Sequence, residues 1–520
     1  MSTCDEVQTR LNWSHVEDED DNMLLKLEWP RLEWQFLEDL QSHTDDIERV
    51  VAQHVCLLPG QRCITAPPSE WLCGSFNACI PVRISGRTPR QLLIKCPLPH
   101  RLGGLLGTQL LDEKLRCEAA SFAWISQNCP RVPIPRLWGF GLPNGLSFTS
   151  VSQLPWYLRA FEYLKRGVSW VLRRPFCRSF VPHRGPALLK SGYLLMDFID
   201  KKQGTMLSNL WPLTADAIEQ KRNLYKHLSR IMLDLAQPLD KIGSFTVDNN
   251  GDLSLEHRPL TLRLATLENE SVPTQISPNT YYSTTDSYLH DLLHCHDQKL
   301  RYQPNSIRSK LDAEGQVAVL TIMRSLTANF TQRHLRHGPF IFRLTDLHPS
   351  NIFVDHHCNV TAIVDLEWSC SLPIETQHPP FWLSGHELDE LEGENKGDFD
   401  RMAEDFLEIF EQEDRCVARN SSLEPGFCTA VMRAALQKKM HWYWSSLNEP
   451  RGMYNLFLEH IQPLFAPSHS EGEPAILFQK IIAPYWSTAT SAVIEDKLRH
   501  RQQYLEQLRA NRREYCLAYS

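Results

Sequence analysis

Between residues 340 and 368 the sequence specifies an arrangement that few folds can satisfy. An apolar run, Phe340-Ile341-Phe342, opens into Leu344-Thr345-Asp346-Leu347-His348-Pro349-Ser350-Asn351. The chain turns apolar again at Ile352-Phe353-Val354, crosses a turn at His356–Asn359, and returns through Val360–Val364 to Asp365-Leu366-Glu367-Trp368. Two such runs joined by a short turn predict a hairpin. A hairpin brings its end back to its start, so Asp365 should return beside the loop that holds Asp346 and Asn351. Phosphoryl transfer needs a carboxylate next to the attacking hydroxyl and metal ligands close by. Kinase catalytic loops space the first two groups as Asp-Leu-x-x-x-Asn, the spacing of Asp346 and Asn351. The plainer alternative is that all three are turn residues capping local backbone.

The front half of the chain supplies the partner that such a centre needs. Trp71–Asn77 leads into the strand-like run Ala78–Ile84, and Ser85–Pro89 reads as a turn. Gln91-Leu92-Leu93-Ile94-Lys95-Cys96 reads as a buried strand, and an amphipathic helix is predicted from about Asp112 to Gln127. A lysine on a buried strand needs an opposite charge, because an unpaired buried ammonium is costly. Glu118 lies one turn from both Leu115 and Phe122, so it can face inward and pair with Lys95. Tyr193–Ile199 reads as a further strand. Beyond it the pattern turns helical, and only the 352–366 hairpin reverts to strands. A strand-rich front and a helix-rich back predict an α+β architecture.

Composition sets the outer limits. With 520 residues, 42% of them hydrophobic, the chain can bury a large core and more than one lobe is expected. A net charge of -8 argues against a general nucleic-acid binder. The fifteen cysteines are scattered, none at Cys-x-x-Cys spacing, which predicts reduced thiols and a cytoplasmic protein. The acidic N-terminus carries no secretory or mitochondrial signature, and no window reaches membrane-spanning length. Residues 150–190 interleave Arg159, Lys165, Arg166, Arg173, Arg174, Arg178 and Arg184 with Trp156, Tyr157, Phe161, Tyr163, Trp170 and Phe176. That stretch suits either a membrane surface or a solvated face on a packed insertion. His290, His294 and His296 mimic a zinc-binding helix, but Asp291 stands where the catalytic Glu would be, and core-edge histidines are the simpler reading.

Taken together, these segments resemble the aminoglycoside phosphotransferase and choline kinase-like superfamily, which has a protein-kinase-like fold, and within it a large uncharacterised group of fungal members. The resemblance is carried by Gly74-Ser75-Phe76-Asn77, Leu92–Pro97, Arg116–Ala120, Pro133–Leu137, Asp346–Asn351 and Asp365–Pro373. It covers most of residues 46–420 and implies a bilobal chain, with an ATP-binding sheet lobe over 46–199 carrying one main helix and a helical catalytic lobe over 200–490; an acidic arm over 1–45 and a basic helical tail over 491–520, read from their charge, lie outside it. It implies a five-stranded ATP lobe, with the basic insertion between two of its strands. It also implies that Asp346 positions or deprotonates an acceptor hydroxyl, that Asn351 and Asp365 bind Mg²⁺, and that Lys95, paired with Glu118, contacts ATP phosphates. Gly74, Ser75, Phe76 and Asn77 would arch over those phosphates, and Met196, Asp197, Phe198 and Ile199 would form the adenine hinge. The implied partners are ATP and a small-molecule acceptor. Two departures stand out. Leu344 and Thr345 replace the usual His-Gly before the catalytic Asp, and the phosphate loop has one glycine. A pseudokinase used as a binding module is therefore the rival expectation.

Overall fold

Side-chain alternation organises the front half. The computed structural model describes residues 16–17, 19, 21–55, 57, 60–86, 89–102, 109–157, 159–161, 164, 179–214, 217–416, 423–449, 452–470 and 472–518. Eight strands form one antiparallel sheet: β1 (Cys63–Thr65), β2 (Leu72–Cys73), β3 (Asn77–Ile84), β4 (Arg90–Pro97), β5 (Leu137–Gly141), β6 (Leu146–Ser150), β7 (Phe180–Arg184) and β8 (Tyr193–Asp197). Their order is β1-β3-β4-β8-β5-β6-β7, with β2 paired to β3. In β4 the side chains of Leu92, Ile94 and Cys96 join a core with Leu40, Ile47, Val50 and Val51. The latter four come from two helices, α1 (Trp29–Ser42) and α2 (Thr44–Val55). With a period of two, Leu93 and Lys95 must face the other side of the sheet. There they meet α3 (Gln109–Asn128), whose Leu115, Ala119 and Phe122 pack with Leu194 and Met196 of β8.

The back half is mostly helical. Its principal helices are α4 (Ile218–Leu235), α5 (Leu262–Asn269), α6 (Thr285–Tyr302), α7 (Lys310–Leu326), α8 (Gly393–Cys416), α9 (Phe427–Gln437), α10 (Met440–Asn448) and α11 (Thr490–Ala518). Three small sheets are set among them. The predicted hairpin forms as β14 (Ile352–Val354) and β15 (Val360–Ile363), flanked by β9 (Thr205–Met206). A second sheet joins β10 (Pro238–Leu239), β13 (Phe340–Leu344) and β16 (Ser369–Pro373). The third is the hairpin of β11 (Ser244–Val247) and β12 (Leu253–His257). The architecture is α+β, with a strand-rich front and a helix-rich back.

Two sequence expectations need correction. The sheet of the first lobe has eight strands among the described residues, not five, because β1 and the β6–β7 hairpin extend it. The back half holds strands besides the 352–366 hairpin, since β13 and β16 pair across a gap that local pattern does not register. The 150–190 stretch falls between β6 and β7 and includes β7 itself. Trp156 and Tyr157 there are exposed, whereas Tyr163, Lys165, Arg166, Trp170, Arg173, Arg174, Phe176 and Arg178 lie outside the described residues. The first described residues pack on α11: Met23 N–H donates to Tyr504 at 3.1 Å, and Glu17 pairs with Arg509 at 2.7 Å. Among the described residues no helix is long and apolar enough to cross a membrane.

Candidate active site

Lys95 is the hub. Its Nζ lies 2.7 Å from Glu118 Oε1 and 3.1 Å from Glu367 Oε2, and it also pairs with Asp365. The sheet side fixed by alternation explains the first contact, and the return of the β14–β15 hairpin explains the last. A second lysine completes the set. Lys114 is fully buried one helical turn before Glu118 and reaches Glu367 Oε2 at 2.5 Å and Asn77 Oδ1 at 2.6 Å. Two ammoniums thus face three carboxylates, leaving one negative charge in excess. Burial pushes the Lys95 ammonium down, but Asp365, Glu118 and Glu367 outweigh it and hold its pKa well above the usual lysine value. Burial raises Glu118 and Asp365. At Glu367 burial acts the same way, but Lys114 and Lys95 overcome it and bring the carboxyl to about 2.

Asp346 and Asn351 adjoin this network. Asn351 Nδ2 donates to the Asp346 carbonyl at 2.9 Å and to its Oδ2 at 3.3 Å, which fixes the carboxylate within the loop. Val364 N–H donates to the Asn351 carbonyl at 2.9 Å, tying the loop to the end of the hairpin. Burial, followed by the charges of Asp365 and Glu367, lifts the Asp346 carboxyl to about 7. Asp365 itself has φ 63°, left-handed backbone that a side chain adopts at a cost and that clusters at functional sites.

The two residues before Asp346 make contacts that support the loop. Thr345 donates its hydroxyl to the Trp368 carbonyl and so joins the loop to the segment after Asp365. Leu344 pairs with Ser369 between β13 and β16. Trp382 Nε1 supports the loop from outside by donating to the Leu347 carbonyl at 2.7 Å.

The remaining predicted residues fall in two places. Gly74–Asn77 forms the tight turn between β2 and β3, closed by Gly74 N–H to the Asn77 carbonyl at 2.9 Å. Gly74 and Ser75 are exposed, and Phe76 packs edge-on against Trp368, with centroids 5.5 Å apart. Asn77 turns inward and donates from Nδ2 to Glu367 Oε2 at 3.0 Å. Met196–Ile199 continues from β8 beside β4, with Leu93 opposite Met196 and Leu92 opposite Asp197. The Asp197 amide is spent on the Arg136 carbonyl and the Phe198 amide on the Gln91 carbonyl. His294 and His296 do not converge on one point: the first contacts Gln275 and Gln298, the second the Leu447 carbonyl.

The donor set fits a hard divalent cation. Oxygens of Glu118, Asp365 and Glu367 all lie within 4.8 Å of one another. Glu118 Oε2 is buried with no hydrogen-bond partner among the described residues, and all-oxygen ligation suits Mg²⁺. Next to this centre a cleft of about 940 Å³ opens in the helical lobe, with Asp346, Arg343, Phe381, Trp382 and Trp444 among its walls. Glu387, Asp389 and Glu392 line it too, just ahead of α8. Sequence reasoning missed Lys114 and assigned no role to Glu367. Lys114 carried a signal, a lysine at i−4 from Glu118 between the inward-facing Leu111 and Leu115.

No family model and no curated protein matches the sequence. Similar solved structures include the macrolide 2'-phosphotransferase of Brachybacterium faecium, 10% identical at a TM-score of 0.29 over 81% of this chain and 99% of that one. They also include the ethanolamine kinase of Plasmodium vivax, 12% identical at 0.30 over 84% of each chain. Both are phosphotransferases by name. At these scores the two-lobed fold rests on this chain's own strand order.

Proposed function

We propose that this protein is an Mg-ATP-dependent phosphotransferase acting on a hydroxyl, or similar acceptor, of a small molecule. One observation carries the reading: Lys95 from the sheet lobe meets Asp365 at the end of the hairpin, beside Asp346 and Asn351. In this reading Asp365 and Asn351 hold Mg²⁺, which when bound neutralises phosphate charge. Lys95, aligned by Glu118, contacts the phosphates and holds Asp365, while Glu367 and Lys114 hold Asn77 in place. Asp346 orients the acceptor hydroxyl and accepts its proton, and a carboxyl that titrates near 7 suits that task. Adenine would sit against Met196–Ile199. Because the Asp197 and Phe198 amides are engaged, its contacts fall to the Ile199 amide and to hinge carbonyls.

The rival reading, a pseudokinase, draws on Leu344 and Thr345 and on the near-complete burial of Lys95, which is 4% exposed. Incubation with Mg-ATP and a metabolite library, read by mass, separates the two. The phosphotransferase reading requires one acceptor to gain a phosphate. ATP binding with no acceptor modified across the library supports the pseudokinase.

A further inference from the structure

The cleft beside Asp346 has a second charged feature of opposite sign. Arg343 on β13, three residues before Asp346, and Arg263 on α5 both line it. Arg343 is half-buried. Its Nη1 donates to the Thr376 carbonyl at 2.6 Å and to the Thr376 hydroxyl at 2.7 Å. Burial takes it down to about 10, opposed by the Cys370 thiol and the Tyr288 phenol, and His378 feels its charge. Arg263 is 4% exposed, and among the described residues its Nε, Nη1 and Nη2 have no hydrogen-bond partner. Burial lowers its pKa too, opposed by Cys295, Tyr288 and, least of the three, Glu449. Tyr288, its buried hydroxyl equally without a hydrogen-bond partner, feels both guanidiniums.

Arg258, five residues before Arg263, shows how this fold treats an arginine that serves structure alone. It is equally buried, and its guanidinium is saturated: 2.6 and 2.9 Å to Glu113, 2.6 and 2.7 Å to Glu268, and 2.7 Å to the Ile276 carbonyl. Leaving a desolvated guanidinium without such partners is unfavourable. Packing alone does not call for it, since a methionine would fill similar space. A guanidinium presents planar paired donors that match a carboxylate or phosphate, and in a dry site that contact is strong.

We propose that Arg263 and Arg343 form an anion recess, so that the acceptor is a hydroxylated small molecule bearing a carboxylate or phosphate group held by these arginines while its hydroxyl faces Asp346. The fate of the hydroxyl rests on the phosphotransferase reading; the recess itself needs no nucleotide. Glu387, Asp389, Glu392 and Glu459 also line the cleft, so the anion is held by direct contact rather than by a diffuse positive field. Its affinity should therefore survive salt that screens longer-range attraction.

The test is calorimetric titration without nucleotide, at fixed ionic strength. The ligands are L-malate for the carboxylate arm, glycerol 3-phosphate for the phosphate arm, and glycerol and choline as uncharged and cationic controls. We expect saturable binding of at least one anion and of neither control, weakened at least about tenfold in both Arg263→Met and Arg343→Met. Which anion binds identifies the group. A melting curve guards against misfolding: without ligand, Arg263→Met should melt at or above the parent temperature, because it removes a buried charge that has no hydrogen-bond partner among the described residues. Absence of binding by either anion to the parent, or equal binding by parent and both variants, overturns the proposal. So does Arg263→Met melting well below the parent, which would make the arginine structural. Anion binding by a protein that phosphorylates no acceptor would defeat the phosphotransferase reading and leave the recess standing.

Discussion

Two buried charge clusters flank Asp346, and they differ in how their charges are met. On the sheet side, Lys95, Lys114, Glu118, Asp365 and Glu367 answer one another at hydrogen-bond distance, with a single negative charge to spare. On the cleft side, Arg263 has no hydrogen-bond partner among the described residues, and Arg343 has one threonine. The first cluster is closed on itself by ion pairs, and in the phosphotransferase reading it also serves the nucleotide; the second leaves buried guanidinium donors without partners among the described residues, the feature on which the anion recess rests.

The comparison can be broken most forcefully on the sheet side. Lys114→Met leaves Glu367 and Asn77 short of their buried partner and should cost ~3–5 kcal/mol in urea unfolding. Arg263→Met, at similar depth, should cost nothing. Equal losses would erase the distinction between the clusters. Next in size, Asp346→Asn at the boundary should lower turnover by at least ~100-fold while nucleotide binding persists. Parent-like turnover at saturating substrate would remove Asp346 from the chemistry. Thr345→Val removes the hydroxyl that ties the loop to Trp368. It should lower stability by about 1 kcal/mol, measured by the same unfolding, with no change in anion affinity.

A further effect is a pH dependence. In the folded protein Asp346 titrates at about 7, against about 3.9 in an unfolded chain. Between those values the folded state binds the extra proton, so this group's contribution to stability is whole below about 4 and fades as pH rises toward 7. Asp346→Asn cannot titrate. Its melting temperature should therefore gain on the parent from pH 5 to pH 8, and parallel curves would show that the carboxyl titrates normally.

What was legible in the sequence was local. Asp346, Asn351 and Asp365 sit on one short hairpin unit, and Lys95 and Glu118 on a strand and a helix whose faces follow from period two and period 3.6. Less was visible where the partner is distant. β16 pairs with β13 across the whole loop and hairpin, and neither strand announces the other. The β11–β12 hairpin did carry a turn signal, Asn249-Asn250-Gly251, inside a stretch read as helical. Glu367 gave no hint, because its two lysines come from β4 and α3. Arg263 was out of reach altogether: in Thr261-Leu262-Arg263-Leu264 it reads as an ordinary helical residue, and a missing partner is a property of three-dimensional packing.

The most direct test of the proposed catalytic centre is titration of Mg-ATP into the parent, Asp365→Ala and Lys95→Met. The parent should bind saturably, Asp365→Ala at least ~10-fold more weakly when Mg²⁺ is present and nearly as the parent does when Mg²⁺ is withheld, and Lys95→Met more weakly in both conditions. Binding that is indifferent to both substitutions, or no binding by the parent, would contradict the proposed centre.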